Sequence, residues 1–586
     1  MKTYLIRVFG ADLRSLAALR MGCALVILLD LVSRSTDLVA HYTDFGVVPR
    51  TLVMQHSSSR WYLSLHYMSG VWELQALLFG FAALAAGALL VGYRTRLASV
   101  LSWFLFVSLC ARNPYVLQGG DQLLRAVLFW GMFLPWGALY SVDAAWERNA
   151  PLAAAAPYLS WGTAAYALQI IFMYWFTAAL KSGPQWWSEG SAVYYALNID
   201  YLVTPLGTLL RDAPQGWLKL ATWSVLVFEI VGPLALLLPV RRGWLRLSTV
   251  FCFLFLHAVF LLTLFIGIFP LVGMVSMLFF LPARFWDFFQ TRPARAPAIK
   301  IYYDSDCGFC WRSVRLIQTF LLPGAPIAGA QSVPELESEM RRRNSWIVVD
   351  EHGARHYGYD GAIAVAAAAP VLGLLVPLMR LTAMRRCGER WYQYVAAHRQ
   401  TSCVLPSGAS SPVAAFRKLP SGADVLAPIF IACVFLINLA NMPGLGVRIP
   451  EALRSVSDVT GLNQVWNMFA PFPAKDDGWY VIPGRLKDGR VVDLFRDGKP
   501  VDFGKPAHGA LEFKNHRWRK YMELLRKREV LQPPYARYLC REWNRRHAGA
   551  ATLEELEVLY VLEWTRPSPE YSPIERQSVF KAKCAH

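Results

Sequence analysis

Charge is scarce in this sequence. Asp, Glu, Lys and Arg make up 17% of its 586 residues, where soluble domains usually carry about 25%. The shortage is deepest over residues 1–285, which excludes an ordinary soluble domain there. Acidic residues are scarcer than basic ones, 41 against 59, for a net charge of +18. No stretch gathers that excess into a nucleic-acid-reading element, so no nucleic-acid partner is expected. The bland source of the excess is the Lys and Arg of cytoplasmic loops. No small-residue cleavage site follows the basic N-terminus (Lys2, Arg7, Arg14, Arg20). That favours a retained first span over a signal peptide. Of ten cysteines only one pair is closely spaced, which excludes a disulfide-dense secreted scaffold.

What is abundant is apolar. Hydrophobic residues are 55% of the chain, with 22 Trp and 25 Tyr, a composition suited to interfacial aromatic belts. A bilayer core of ~30 Å needs about 20 apolar residues in a helix. Runs at 16–33, 71–92, 97–112, 122–141, 160–180, 217–239, 244–264 and 267–283 are the candidate spans of a multi-pass α-helical bundle over 1–290. Arg94 and Arg96 join spans two and three, and Arg241, Arg242 and Arg246 join six and seven. Arg284, Arg292, Arg295 and Lys300 follow span eight. With the N-terminus in the cytoplasm, all of these basic loops fall inside. Loops 34–70, 113–121 and 181–216 then face out.

A Pro- and Arg-containing linker, Thr291 to Pro297, precedes a soluble segment at 298–402. Another uncharged apolar run follows at 423–441, after Arg417 and Lys418. It reads as a ninth span, with a re-entrant or interfacial helix as the alternative. If it crosses, the tail at 445–586 lies outside. In that tail Trp479–Ile482 and Val491–Phe495 read as strands, with a turn at Lys487–Arg490. Helices are expected near 512–529, 534–548 and 552–556, then a strand at Glu555–Trp564. The tail is an expected α+β domain.

The close cysteine pair is Cys307-Gly308-Phe309-Cys310. An apolar strand, Ile299–Asp304, precedes it, and Trp311–Leu322 has helical periodicity. Strand, Cys-x-x-Cys, helix is the thioredoxin arrangement. The first thiol then sits at a helix N-terminus, where the dipole and free N–H groups favour thiolate. Cys307 would attack and Cys310, one turn on, would resolve the mixed disulfide. Asp304 and Asp306 oppose thiolate formation if they lie close. Half of a zinc site is the competing reading. Its further ligands would come from His352, His356, Cys387, His398 and Cys403, none of which forms a second tight pair. No metal or cofactor is expected at the pair, and its expected partner is a protein thiol or disulfide.

Downstream, Trp346–Asp350 and Arg355–Gly358 read as a hairpin across Glu351–Ala354. Together with Tyr303-Asp304, Asp306–Cys310, Gly358-x-x-Gly361-Ala362 and Tyr394-x-x-x-x-Arg399, this segment resembles the DCC-type thiol-disulfide oxidoreductases. The resemblance implies a thioredoxin-like α/β fold. Unlike thioredoxins, the chain has no Pro directly before the Trp346 strand.

Polar residues in or beside the apolar runs are functional candidates, because ionisable groups at membrane depth are costly. They are Glu73, Asp121, Arg125, Lys181, Glu229 and His257. Interhelical pairing or snorkelling is the bland alternative for each. Asp121, after Gly119-Gly120, fits an N-cap of helix four. The set Arg112-Asn113-Pro114, Gly119–Leu124, Lys181 to Gly190, Glu229, His257 and Asn463–Pro473 resembles the HTTM family, relatives of vitamin K-dependent γ-carboxylase. That resemblance implies a bacterial inner-membrane bundle with an outward cavity and an outer domain. It makes a quinone a candidate cofactor and Asp121, Lys181, Glu229 and His257 candidate cavity residues. The carboxylases carry a Lys pair after helix five, and here the second is Ser182.

Three functions follow. The first is a membrane-bound thiol-disulfide oxidoreductase using Cys307 and Cys310. The second is a carboxylase-like, quinone-using membrane enzyme. The third is a non-catalytic membrane protein of peptide maturation or immunity with a redox-sensing Cys pair.

Overall fold

The computed structural model describes residues 1–56, 61, 63–147, 157–240, 243–291, 299–369, 372–399, 421–566 and 572–584. Arg241, Arg242, the linker at 292–297, Cys403 and the Arg417-Lys418 pair lie outside the described residues.

Six helices are long and apolar enough to cross a membrane: α1 (Leu13–Ser35), α2 (Trp72–Val91), α3 (Thr95–Arg112), α5 (Trp161–Leu180), α6 (Gln215–Leu237) and α7 (Trp244–Thr263). Their ends follow local chemistry. The Asp12 carboxylate accepts from Arg14 N at the start of α1. Ser160 and Thr163 form a reciprocal capping box at α5. α2 stops at Gly92, whose φ of +67° suits a residue without Cβ. Phe81, Leu84, Val227 and Phe255 point outward and exposed, as a lipid-facing surface would.

Two of the eight expected spans do not reach that length. The fourth, α4 (Gly119–Gly131), has 13 residues and gives way to turns. Trp136 folds back there into the space a Gly131 side chain would need, 2.1 Å from its Cβ position. The eighth, α8 (Phe269–Met277) with a following 3₁₀ turn, bends by 89° into α9 (Ala283–Thr291). Pro282 stands at the break.

Between these elements lies a four-stranded mixed sheet. Strands β1 (Lys300–Tyr303), β2 (Ile327–Gly329), β3 (Ile347–Val349) and β4 (Arg355–Tyr357) run in the order β2-β1-β3-β4. β1 and β2 are parallel, while β3 is antiparallel to both β1 and β4. Helices α10 (Gly308–Leu316) and α12 (Gly358–Ala368) pack on one face through Val314 and Val365. α11 (Pro334–Arg343) covers the other through Leu336 and Met340. α13 (Thr382–His398) packs on α12.

The chain then returns through α14 (Ser421–Ala440), which joins the bundle. Phe430 meets Phe129 of α4 at 5.0 Å and Phe435 meets Phe172 of α5 at 5.2 Å. The Asn463–Pro473 motif enters the bundle too: Gln464 pairs with Gln169 of α5, and Trp466 is 1% exposed.

The tail forms a second sheet from β5 (Asp476–Val481), β6 (Pro483–Leu486), β7 (Val491–Asp493), β8 (Leu553–Trp564) and β9 (Glu575–Lys583), backed by α15 (His516–Lys527) and α16 (Gln532–Arg546). The expected helix at 552–556 is instead the start of β8, because Leu553, Leu556 and Val558 are buried in the core and the segment pairs with β6 and β9. The expected hairpin turn at Lys487–Arg490 joins β6 to β7, not β5 to β7. β9 has no counterpart in the sequence reading.

The two sheet regions dock at opposite ends of the bundle. Arg315 of α10 donates to Ala145 O at 3.1 Å, and Arg312 lies over Trp146 at 5.2 Å. Asp143, from the same short helix, caps α3 at Arg94 and Thr95. At the other end of α1, Arg517 of the tail reaches Asp30, and Gln118 donates to His516 O.

Candidate redox site

The Cys pair lies where β1 turns into α10. Cys307 is the N-cap, and its sulfur accepts from Cys310 N at 3.4 Å. Cys307 is buried, Cys310 half-buried, and both are thiols rather than a disulfide. Burial first, and then the hydrogen bond to the Cys307 sulfur, push the Cys310 thiol up to about 12. The Cys310 thiol therefore keeps its proton at neutral pH.

One cation opposes that shift. Arg399, just past α13, points Nη1 at the Cys310 sulfur at 3.4 Å. Its Nη2 donates to Asn344 Oδ1 at 2.6 Å, which fixes the guanidinium. Asn344 caps α11 in the left-handed region, φ +46°, where Asn is tolerated. Of the two neighbouring acids, Asp304 adds to the rise of the Cys310 thiol. Asp304 Oδ1 takes bonds from Gln331 Nε2 at 2.7 Å and Asp306 N at 3.2 Å.

In place of a proline before β3 stands Ser345. Its hydroxyl accepts from Gly358 N at 2.7 Å and from Tyr392 at 3.2 Å. Among the described residues the zinc alternatives do not gather here: His356 pairs with Asp350, while His352, Cys387 and His398 are exposed. Among the described residues, Asp200, Asp477 and Glu563 are close enough to share an ion. Lys505 already fills that role, at 2.7 Å from Asp200 and 2.5 Å from Glu563.

The polar candidates of the bundle separate into three places. Lys181 donates to both oxygens of Glu229 at 2.6 and 2.5 Å, both side chains buried, with Trp186 4.3 Å from the ammonium. His257 instead bonds Tyr174 OH at 2.7 Å. Asp121 is not the N-cap of α4: Gln118 is, and Asp121 returns a bond to its backbone N–H. Asp121 also belongs to a buried four-charge cluster. Arg34 bridges Asp30 (2.6 Å) and Asp121 (2.5 Å), and Arg517 bridges the same two acids at 2.6 and 3.1 Å. Arg125 donates weakly to Asn463 O at 3.4 Å and lines a cavity of about 260 Å³ beneath the tail. Glu73 is exposed in the first turn of α2.

Sequence reasoning missed Arg34, Asp30 and Arg517. An Asp and Arg at i, i+4 within an apolar run was a readable signal for the first two. It also missed the Cys540–Cys584 disulfide, 44 residues apart, which ties α16 to the end of β9.

Residues 301–404 match the family model of DCC1-like thiol-disulfide oxidoreductases. The match covers the Cys pair, both sheet faces and Arg399. No curated protein matches the chain. No solved structure matches it.

Proposed function

We propose that the chain is a membrane-integral thiol-disulfide oxidoreductase, with Cys307 as the attacking thiol and Cys310 as the resolving one. The carrying observation is the pair itself: Cys307 caps α10 and accepts from Cys310 N, while Cys310 keeps the proton. The β-α-β-α-β-β-α order of the domain is that of a thioredoxin-like fold and supports the reading.

The chemistry balances without a bound cofactor. The Cys307 thiolate attacks a disulfide R–S–S–R′, forming a Cys307–S–S–R bond and releasing R′S⁻. Cys310 loses its proton and attacks the Cys307 sulfur, releasing RS⁻. The substrate gains two electrons, and the pair becomes a disulfide that an external dithiol must reduce.

The reading extends to topology. The basic loops at Arg94, Arg246 and Arg284 share the end where the redox domain docks, which supports a cytoplasmic redox domain. The disulfide in the tail supports an outside location for that domain, since disulfides persist in oxidising compartments. α1–α8 and α14 together would then cross the plasma membrane of a bacterium nine times, the broken and short helices included. A cytoplasmic dithiol pair is kept reduced, which favours a reductase.

A quinone-using, carboxylase-like bundle is less well supported. Lys181 is held between both oxygens of buried Glu229, so it is not placed as a free base. Ser182 stands where the relatives carry their second lysine.

The test is Cys310→Ser in the intact chain. It is expected to accumulate a mixed disulfide through Cys307 that dithiothreitol releases. Absence of any trapped partner, with no redox change of the pair in cells, would overturn the proposal.

A further inference from the structure

The redox domain carries a surface that the thiol chemistry does not use. Its last helix, α13, turns one side inward: Gly388 meets the Tyr359 ring, Tyr392 bonds Trp346 N, and Ala396 is buried. The opposite side is apolar and open. Met384, Trp391 and Tyr394 follow at helical spacing, with Trp391 67% and Tyr394 58% exposed. Trp391 stacks on Tyr394 at 5.9 Å, so the aromatics form one continuous stripe. The preceding turns extend it with Leu374, 83% exposed, Leu378 and Leu381.

Apolar side chains of this size are rarely left contiguous on a soluble surface. The stripe is also flanked by cations: Arg380, Arg386 and Arg390 are all exposed. A Trp/Tyr/Leu face with an arginine flank is the signature of a helix lying in a membrane interface. The rings occupy the headgroup level, and the guanidiniums reach anionic phosphates.

Position agrees with composition. α10 docks on the bundle's end at Ala145 and Trp146. α12 shares the sheet face of α10, and α13 packs on α12. The stripe's helix thus packs on a helix that shares the sheet face of the docked α10. At that same end α9 leaves α8 at 89°, exposing Phe288 and Phe289, while Arg284 stacks on Trp244 at 4.2 Å. An interfacial level is therefore marked by a second helix.

We propose that the stripe of Leu374, Leu378, Leu381, Met384, Trp391 and Tyr394, flanked by Arg386 and Arg390, is a docking surface for the anionic leaflet of the bilayer that the chain spans. It rests on the membrane reading, not on the thiol chemistry. Docking would hold Arg399, at the end of the same helix, in register with Cys310.

The test uses the full chain, one copy per nanodisc, with the photoreactive amino acid p-benzoylphenylalanine in place of Trp391. Gln393, exposed on another side of α13, is the control position. Each nanodisc is made of phosphatidylcholine alone or with phosphatidylglycerol. The expected product is a lipid adduct at 391, strong with phosphatidylglycerol and weak at 393. Arg386→Gln with Arg390→Gln is expected to lower it about thirtyfold, since each basic residue near an anionic surface counts separately. An adduct to another protein chain, equal adducts at 391 and 393, or indifference to headgroup charge would overturn the proposal. Resistance of the chain to alkaline carbonate extraction is read in parallel, so failure of the membrane reading is seen separately.

Discussion

The two domains outside the bundle are attached, and use cysteine, in opposite ways. The tail is bolted to α1 and α4 by two arginines and two aspartates, all four at most 1% exposed. The redox domain's contacts with the bundle include a guanidinium on a backbone carbonyl and a cation over a ring. In the tail, Cys540 and Cys584 are bonded across 44 residues. In the redox domain, Cys307 and Cys310 are three residues apart at a helix cap and remain thiols. Long-range closure removes much unfolded-state freedom and stabilises; a cap-to-first-turn pair closes almost nothing and is left for chemistry. A tightly held domain with a structural disulfide is a scaffold.

The largest effect is expected where that contrast is most extreme. Arg517→Met leaves Asp30 and Asp121 sharing Arg34 alone, one buried negative charge in excess. Removing one partner of a buried ion cluster costs roughly 3–5 kcal/mol. The tail should loosen from the bundle, read as faster protease cleavage between 442 and 475 with the redox domain unaffected. Equal cleavage of variant and parent would mean that the charges do not hold the dock.

Next comes the tail's disulfide. Cys540→Ser should cost about 2–4 kcal/mol of tail stability, because a long loop is opened in the unfolded state. Dithiothreitol on the parent chain should give the same drop in thermal denaturation, and Cys307→Ser should give none. A parent tail indifferent to reductant would remove the distinction between the two pairs.

How much of this was readable differs along the chain. Six of the eight apolar runs match their helices within a few residues, because about twenty mostly apolar residues in a row have few other solutions. α4 was over-read, because Gly131 and Pro135 break a run whose hydropathy continues to Tyr140. The redox site was legible because its parts are local: strand, cap and helix lie within about 20 residues of chain. Arg399 was visible only as part of a family resemblance. Its role needs the approach of residues 310, 344 and 399, which no local pattern encodes. The same holds for Arg517, which lies 396 residues from Asp121. β9 is amphipathic and charged, and pairing with β8 rather than its own pattern makes it a strand.

The smallest expected effect tests whether Arg399 tunes the resolving thiol. Burial and the bond to Cys307 raise Cys310 to about 12, and the Arg399 guanidinium opposes that rise. Removing the cation should raise the thiol further, so less thiolate exists at any pH below its titration. In a Cys307→Ser background, Arg399→Gln should therefore slow alkylation of Cys310 by iodoacetamide at pH 9 by roughly tenfold, the effect of one nearby opposite charge. Arg399→Lys keeps the charge and should recover most of the rate. With Cys307 present, the same Gln variant should prolong the mixed disulfide without changing how fast it forms. If Gln and Lys variants alkylate alike, Arg399 only packs against Cys310, and resolution draws its thiolate from elsewhere.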